Sequence, residues 1–180
     1  NWQNAFLGYF IPGNLDVKAV IDTLSKKQIV GVANGYAEWG PRALGNRSLL
    51  ADPRPSNIKD RVNEIKRRQM YRPFAPAVLE EHADKYFKLK KAYDYRYMQY
   101  AVDVKDDYPY PSTCHVDNTA RVQIVPKDGS NIRNILEAWY AKTKCPVLLN
   151  TSLNIRGEPI VNDRVDGIRF AKEYDITVIS

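Results

Sequence analysis

Cysteine is almost missing from this sequence: Cys114 and Cys145 are the full complement. Two thiols cannot build a disulfide framework, and such sparing use fits a reducing, cytoplasmic setting. Histidine is equally scarce, with His82 and His115 far apart in the chain. Cys114 and His115 are neighbours, but no ligand-like spacing surrounds them, so no metal site is expected. Hydrophobic runs are short, and none approaches the roughly 20 residues of a membrane-spanning helix. The opening residues carry no signal-peptide pattern. There is no Gly-x-Gly-x-x-Gly turn, no Gly-x-x-x-x-Gly-Lys loop and no Gly-x-Ser-x-Gly elbow. A serine hydrolase would also need a nucleophile–base pair, and none is visible. No internal repeat, linker or low-complexity tract divides the chain.

What remains is an ordinary globular composition, 44% hydrophobic and 27% charged, on 180 residues, enough for one domain with one sizeable core. The chain opens at Asn1 without a methionine, so it is expected to be a piece of something longer. Its net charge is +6, and the excess is concentrated. Between Glu38 and Pro76 lie nine basic residues, Arg42, Arg47, Arg54, Lys59, Arg61, Lys66, Arg67, Arg68 and Arg72, against four acidic ones. A basic chain can serve nucleic acid, an anionic membrane or small phosphorylated ligands, or it can simply present a solvated basic face.

Apolar spacing predicts a helix at 15–24 capped by Asn14, then a buried strand at 28–33 ending at Asn34-Gly35. Residues 39–45 should form a tight, backbone-exposed loop, followed by a strand at 48–51 and a break at Asp52-Pro53-Arg54-Pro55. Ser56 is the expected cap of a helix running to about Met70, with Ile58, Val62 and Ile65 facing inward. On such a helix Lys66 and Arg68 would point to different sides. A strand at 74–79, a short helix to Tyr86 and a strand at 93–104 follow. Tyr108 and Tyr110 sit in a Tyr-Pro loop, where they could stack on a base or merely pack. Residues 120–125 alternate as a half-buried strand with Arg121 and Gln123 on its polar face. Ser130 should cap a helix bearing Ile132, Ile135, Leu136, Trp139 and Tyr140. A strand at 146–149 then delivers Asn150-Thr151-Ser152-Leu153-Asn154, and a turn, a helix near 165–170 and a strand at 176–179 close the fold. The reading is one α/β domain with a mixed sheet.

The chemistry left open is an arginine-rich anion site. Arginine offers a permanent charge and a planar fork matched to phosphate oxygens, and lysine adds a compact charge. Gly40 and Gly45 allow backbone to come close to a ligand. Ser152 and Asn154, two apart at a strand end, project to one side. Several arginines gathered together call for a polyanionic ligand. Such a site catalyses transfer by positioning and neutralising charge, usually with Mg²⁺. The plainer account of Lys66-Arg67-Arg68 is a cationic helix end favoured by the helix dipole.

Four blocks carry a resemblance, in order along the chain from about Leu7 to the end. They are Gly40-Pro41-Arg42-Ala43-Leu44-Gly45-Asn46-Arg47-Ser48-Leu49-Leu50-Ala51-Asp52-Pro53-Arg54, Arg72-Pro73-Phe74-Ala75-Pro76, His115-Val116-Asp117-Asn118-Thr119-Ala120-Arg121-Val122-Gln123 and Leu149-Asn150-Thr151-Ser152. Together they resemble the C-terminal domain of the carbamoyltransferase family that includes the nodulation protein NodU and the antibiotic O-carbamoyltransferases. Departures are Trp39 where the family usually has Phe, Gln69 and Tyr71 where it often has Glu and Phe, and Asn118 where it has Gly. A glycine at 118 would suit a positive φ, which Asn tolerates better than most residues.

The resemblance implies a YrdC-like fold, a twisted mixed β-sheet with flanking helices around a basic central cavity. It implies that residues 1–180 are one domain of a longer protein whose N-terminal Kae1-like domain, with its Fe or Zn, is missing here. It implies carbamoyl phosphate and ATP as ligands, Mg²⁺ as companion ion, and carbamoyl-adenylate as product for transfer to a hydroxyl acceptor. The YrdC Lys-x-Arg and Ser-x-Asn pairs match Lys66/Arg68 and Ser152/Asn154. The catalytic set implied is Lys66, Arg72, Arg121 and Ser152. The binding set is Arg42, Arg47, Arg68, His115, Asn150, Thr151 and Asn154. The rivals are an RNA-binding module using the same basic stretch and the tyrosines, and an inactive docking domain.

Overall fold

A computed structural model describes residues 10–180; the start of the resemblance near Leu7 lies outside them. Ten strands and five helices are found among the described residues. In chain order they are β1 (Phe10–Ile11), α1 (Val17–Lys27), β2 (Ile29–Ala33), β3 (Gly35–Tyr36), β4 (Arg47–Ala51), α2 (Ile58–Ile65), β5 (Ala75–Leu79) and α3 (Glu80–Tyr86). Then follow β6 (Val102–Asp103), β7 (Thr119–Ala120), β8 (Gln123–Val125), α4 (Asn131–Thr143), β9 (Val147–Ser152), α5 (Arg164–Tyr174) and β10 (Val178–Ile179). Six strands make one sheet in the order β10-β2-β4-β9-β5-β8, while β1-β3 and β6-β7 form two small ribbons. Parallel pairs (β10–β2, β5–β8) flank three antiparallel ones, so the sheet is mixed as expected.

Strands β2, β4 and β5 are buried at every residue, which demands cover on both faces. One face carries Val30, Val32, Leu50, Ala77 and Leu148 beneath α1 and α4, whose Leu24, Ile135, Leu136 and Trp139 are all but inaccessible. The other carries Leu49 and Leu149 beneath α2 and α5, through Ile58, Val62 and Phe170. Both layers end at the same edge of the strands, where β4 begins with Arg47-Ser48 and β9 ends with Thr151-Ser152 in register. The apolar pattern runs out there, and polar side chains replace it.

Four expectations are corrected. Asp16, not Asn14, caps α1, its carboxylate accepting from Ala19 N at 2.9 Å; Asn14 lies too early for that bond. Helix α2 follows Asn57 with no side-chain cap and stops at Ile65, because Arg67 takes φ 49° and turns the chain away. Lys66-Arg67-Arg68 are therefore not a cationic stripe on a helix. Residues 93–101 form no strand: Met98 adopts φ 54°, and the tyrosines pack on one another rather than along a ladder. Residues 119–125 are two strands in two sheets, β7 on β6 and β8 on β5, and Gln123 is buried rather than on a polar face. Arg121 sits in the break between them. Elsewhere the boundaries shift by a residue or a few; Ser130 caps α4 as expected, accepting from Arg133 N.

Candidate functional site

The site is built where β9 ends. Lys66 follows α2 directly, is 4% exposed, and reaches across to that strand end. Its ammonium donates to Ser152 O at 2.5 Å, Asn154 O at 2.8 Å and Asn154 Oδ1 at 3.1 Å. Ser152 Oγ donates to Asn154 Oδ1 at 2.6 Å, and Asn154 Nδ2 to Glu158 O at 2.9 Å. The Lys-x-Arg and Ser-x-Asn pairs, 84 or more residues apart in sequence, thus meet through the lysine. Burial first, then the charges of Arg68 and Arg72, lowers the Lys66 pKa to about 7.

Asn63 shapes the segment that follows. It is fully buried, and its amide donates to Met70 O and Arg72 O, both at 3.1 Å. Its Oδ1 accepts from Arg68 Nε at 2.7 Å. Arg68 also donates to Pro73 O and lies over the Phe74 ring, 4.2 Å from its centre. That leaves Arg68 held and Arg72 exposed at the surface. Burial, then Arg72 and Arg121, lowers the Arg68 pKa to about 10.

The loop bearing Arg42 is pinned from beneath. Glu38 Oε1 accepts from Leu44 N (2.8 Å) and Asn46 N (2.7 Å). Gln123 Nε2 donates to Leu44 O, and Asn150 Nδ2 donates to Ala43 O and to Gln123 Oε1. Gly45 has φ 134° and no room for a side chain, since a Cβ would stand 2.6 Å from Ile132 Cβ. Arg47 is fully buried, and its guanidinium donates to the carbonyls of Asn34, Gly35, Asn46 and Asn162. It braces the loop rather than facing a ligand.

Arg121 completes the group. Its Nε is shut off from solvent and has no hydrogen-bond partner. Burial, then Arg42 and Arg72, pulls its pKa down. His115 hydrogen-bonds Thr119 Oγ1 through Nδ1 at 3.0 Å, and burial outweighs Asp117 to hold it below the usual histidine value. Arg42, His115, Arg121, Trp39 and Tyr97 line a cleft of ≈ 800 Å³. Lys66, Arg68, Arg72 and Ser152 do not line that cleft; Arg121 links the two groups, since its charge acts on Arg68 and it feels those of Arg42 and Arg72. Among the described residues, no ion pair involves Arg42, Lys66, Arg68, Arg72 or Arg121. Five cations thus share one locality without an ion pair, and the one carboxylate lining the cleft, Glu38, has an oxygen committed to two backbone amides.

The structure therefore gathers Arg42, Lys66, Arg68, Arg72, His115, Arg121, Ser152 and Asn154. It assigns Arg47 and Asn150 to the scaffold. Thr151 alternates to the sheet face shared with Leu49 and α2, away from Asn150 and Ser152. Three residues to which pattern reading gave no role in the site, Asn63, Gln123 and Glu38, set the loops that carry the arginines. Their signal is a polar side chain inside an apolar stripe or beside a glycine turn, which alone does not reveal its partner. Tyr108 and Tyr110 pack against Tyr86, and Tyr108 bonds Thr113, so neither offers a free face to a base. Asn118 takes φ 57°, the conformation for which a glycine would have been suited. Among the described residues, no three His, Cys, Asp or Glu side chains group to hold a metal, and no helix is long and apolar enough to cross a membrane.

Comparison with known proteins gives a consistent answer. A family model described as Carbamoyltransferase C-terminus matches residues 21–180. The nodulation protein NolNO of Sinorhizobium fredii is 39% identical over 168 residues, covering 87% of this chain and 25% of that protein. The 3'-hydroxymethylcephem-O-carbamoyltransferase of Amycolatopsis lactamdurans is 38% identical over 155 residues, covering 86% of this chain and 29% of the enzyme. The chain thus spans between a quarter and a third of these relatives. Among solved structures, full-length HypF in its phosphate- and nucleotide-bound form matches with a TM-score of 0.64 at 19% identity, over 93% of this chain and 21% of that one. T. kodakarensis HypF matches equally well, at 18% identity over 94% of this chain and 21% of its own. At that identity the likeness establishes the fold, which is the YrdC-like architecture.

Proposed function

This chain belongs to the carbamoyltransferase C-terminus family, and from that premise we propose that its cation cluster binds carbamoyl phosphate and ATP and makes carbamoyl-adenylate. Water would first cleave carbamoyl phosphate to carbamate and phosphate. The carbamate oxygen would then attack the α-phosphorus of ATP, releasing pyrophosphate. A hydroxyl acceptor would finally take the carbamoyl group, with AMP leaving. That last step belongs to a longer protein carrying a Kae1-like domain.

In this reading Arg42, Arg72 and Arg121 clamp phosphate oxygens, each through its planar fork of donors. Lys66 supplies charge from behind the strand end and fixes Ser152 and Asn154, which orient the carbamate or a nucleotide phosphate. Catalysis is then positioning and neutralisation, which is what phosphoryl and nucleotidyl transfer demand of a protein. Mg²⁺ would be held mainly by the nucleotide's own oxygens. The cleft offers a single carboxylate, Glu38, one oxygen of which already serves two backbone amides. The family model and the cephem enzyme support the carbamoyl part of the reading, and nucleotide-bound HypF supports the nucleotide.

The observation that carries the proposal is Arg121, a half-buried arginine whose Nε is shut off from solvent without a partner. A buried donor left without a partner, on a cation pressed against Arg42 and Arg72, costs stability, so removing it should not hurt the fold. Arg121→Met is expected to leave the melting temperature unchanged or higher while weakening carbamoyl phosphate binding more than about tenfold by calorimetry. A variant that melts earlier yet binds normally would make Arg121 a structural residue and remove the basis for the clamp.

A further inference from the structure

Cleavage of carbamoyl phosphate by water needs a group that takes a proton from that water. The arginines of the cleft cannot supply it, because a guanidinium stays protonated. Among the described residues lining the cleft, the other ionisable side chains are Glu38, Tyr97 and His115. Glu38 spends one oxygen on two backbone amides, and a phenol keeps its own proton at neutral pH. His115 is left. Its Nδ1 stands 3.0 Å from Thr119 Oγ1, and no other hydrogen bond reaches the ring from the described residues.

The threonine decides which ring nitrogen carries the proton. Thr119 Oγ1 has one hydrogen, and it donates that hydrogen to Asp117 Oδ1 at 2.8 Å. The same oxygen accepts from Thr119 N at 3.1 Å, and these bonds hold the Asp117 carboxyl below the usual carboxylate range, so it can only accept. Toward His115 the hydroxyl must then be the acceptor. That places the imidazole proton on Nδ1 and leaves a lone pair on Nε2. Backbone bonds keep the three residues in register: His115 N donates to Thr119 O at 2.7 Å, and Asn118 N to His115 O at 3.1 Å. Thr119 is tied to β6 through β7. Burial of the ring outweighs Asp117, with Arg121 and Lys59 adding to it, so the imidazole is neutral at pH 7. Arg42 and Glu38 are the remaining charges that line the cleft with it.

We infer that His115 is the general base for the water that cleaves carbamoyl phosphate, with Thr119 and Asp117 as its positioning residues. As the water oxygen bonds to the carbamoyl carbon, one water proton passes to Nε2. The bond from that carbon to the phosphate oxygen breaks, its electron pair leaves with the phosphate, and the imidazolium returns the proton to that oxygen. The base role rests on the transferase reading above; the tautomer does not. The first test is the tautomer, read from ¹⁵N imidazole resonances of the whole chain. His115 is expected to carry its proton on Nδ1, to lose that preference in Thr119→Val and to regain it in Thr119→Ser. The second test is phosphate release from saturating carbamoyl phosphate with ATP present, beside calorimetric binding. His115→Asn keeps an amide that can reach Thr119 but has no Nε2. It should bind carbamoyl phosphate with little change and release phosphate about a hundredfold more slowly. The saturated wild-type rate should rise with pH as the imidazole loses its proton and then level off, a rise that His115→Asn lacks. Thr119→Val should slow release about tenfold, and Thr119→Ser should restore it. A proton on Nε2 overturns the assignment, as does a His115→Asn chain that keeps the wild-type rate, or a wild type that binds carbamoyl phosphate without cleaving it. A chain that binds no carbamoyl phosphate sinks the transferase reading instead, whichever nitrogen holds the proton.

Discussion

At the scale of single residues, Lys66 links the site to pH. Its ammonium ionises near 7 in the folded, empty site against 10.5 in the unfolded chain, so between those values the unfolded chain holds the extra proton. Stability of the empty protein should therefore rise with pH across that window. Anion affinity should move the other way, since a bound phosphate favours the ammonium and binding takes up a proton. Carbamoyl phosphate affinity is expected to fall from about pH 7 upward, with proton uptake visible as a buffer-dependent binding enthalpy. Lys66→Arg, permanently charged, should flatten that profile; a slope that survives in Lys66→Arg would place the titrating group elsewhere. Asn63 offers the second residue-scale test. Its side chain makes three hydrogen bonds, all to the loop bearing Arg68 and Arg72. Asn63→Ala should destabilise by about 2–4 kcal/mol. In the fraction that stays folded, carbamoyl phosphate binding should weaken about tenfold. Release of the arginines should also let the Lys66 transition climb above 7, a shift that loss of stability alone would not produce.

At the scale of elements, the glycine turn before β4 decides where Arg42 stands. Gly45 occupies a φ of 134°, a region other residues rarely adopt, and packs against Ile132 on α4. Gly45→Ala combines backbone strain with a steric clash, and strain of this kind costs roughly 1–3 kcal/mol. The expected loss in melting temperature is about 5 °C or more, read by calorimetry. Weakened phosphate binding should accompany it, because Leu44 and Asn46, the amides fixed by Glu38, flank the glycine. A variant with unchanged melting would mean that α4 yields there. The interrupted strand has a similar logic: by splitting between two sheets, β7 and β8 leave Arg121 outside any ladder, where it faces Arg42 and Arg72 instead.

At the scale of the molecule, the +6 charge suits a small-anion site and a nucleic-acid surface alike, and salt dependence separates the two. A pocket for one phosphorylated ligand displaces few counterions, whereas a nucleic acid neutralised by several cations shows a steep log–log dependence on salt. Carbamoyl phosphate affinity is expected to change less than about tenfold between roughly 50 and 200 mM salt, and any RNA retained at low salt should be displaced by carbamoyl phosphate. Tight RNA binding with a steep slope and no such competition would restore the rival reading. The packing of Tyr108 and Tyr110 against Tyr86 already occupies two of the rings that rival would use.

The sequence by itself determined the layered α/β architecture, because fully apolar strands and amphipathic helices are local patterns that survive folding. It also determined the chemistry available, since arginines beside glycines and Ser-x-Asn at a strand end can be seen without coordinates. Only the tertiary structure decided which of those residues act together. Arg47 and Arg121 look alike in sequence, yet one is wrapped in four backbone carbonyls and the other is left with an orphaned Nε. Lys66 and Ser152 are 86 residues apart, and no local rule says that one ends its helix where the other ends its strand. The physical reason is that propensity and periodicity are short-range, whereas desolvation and hydrogen-bond pairing depend on what the fold brings near.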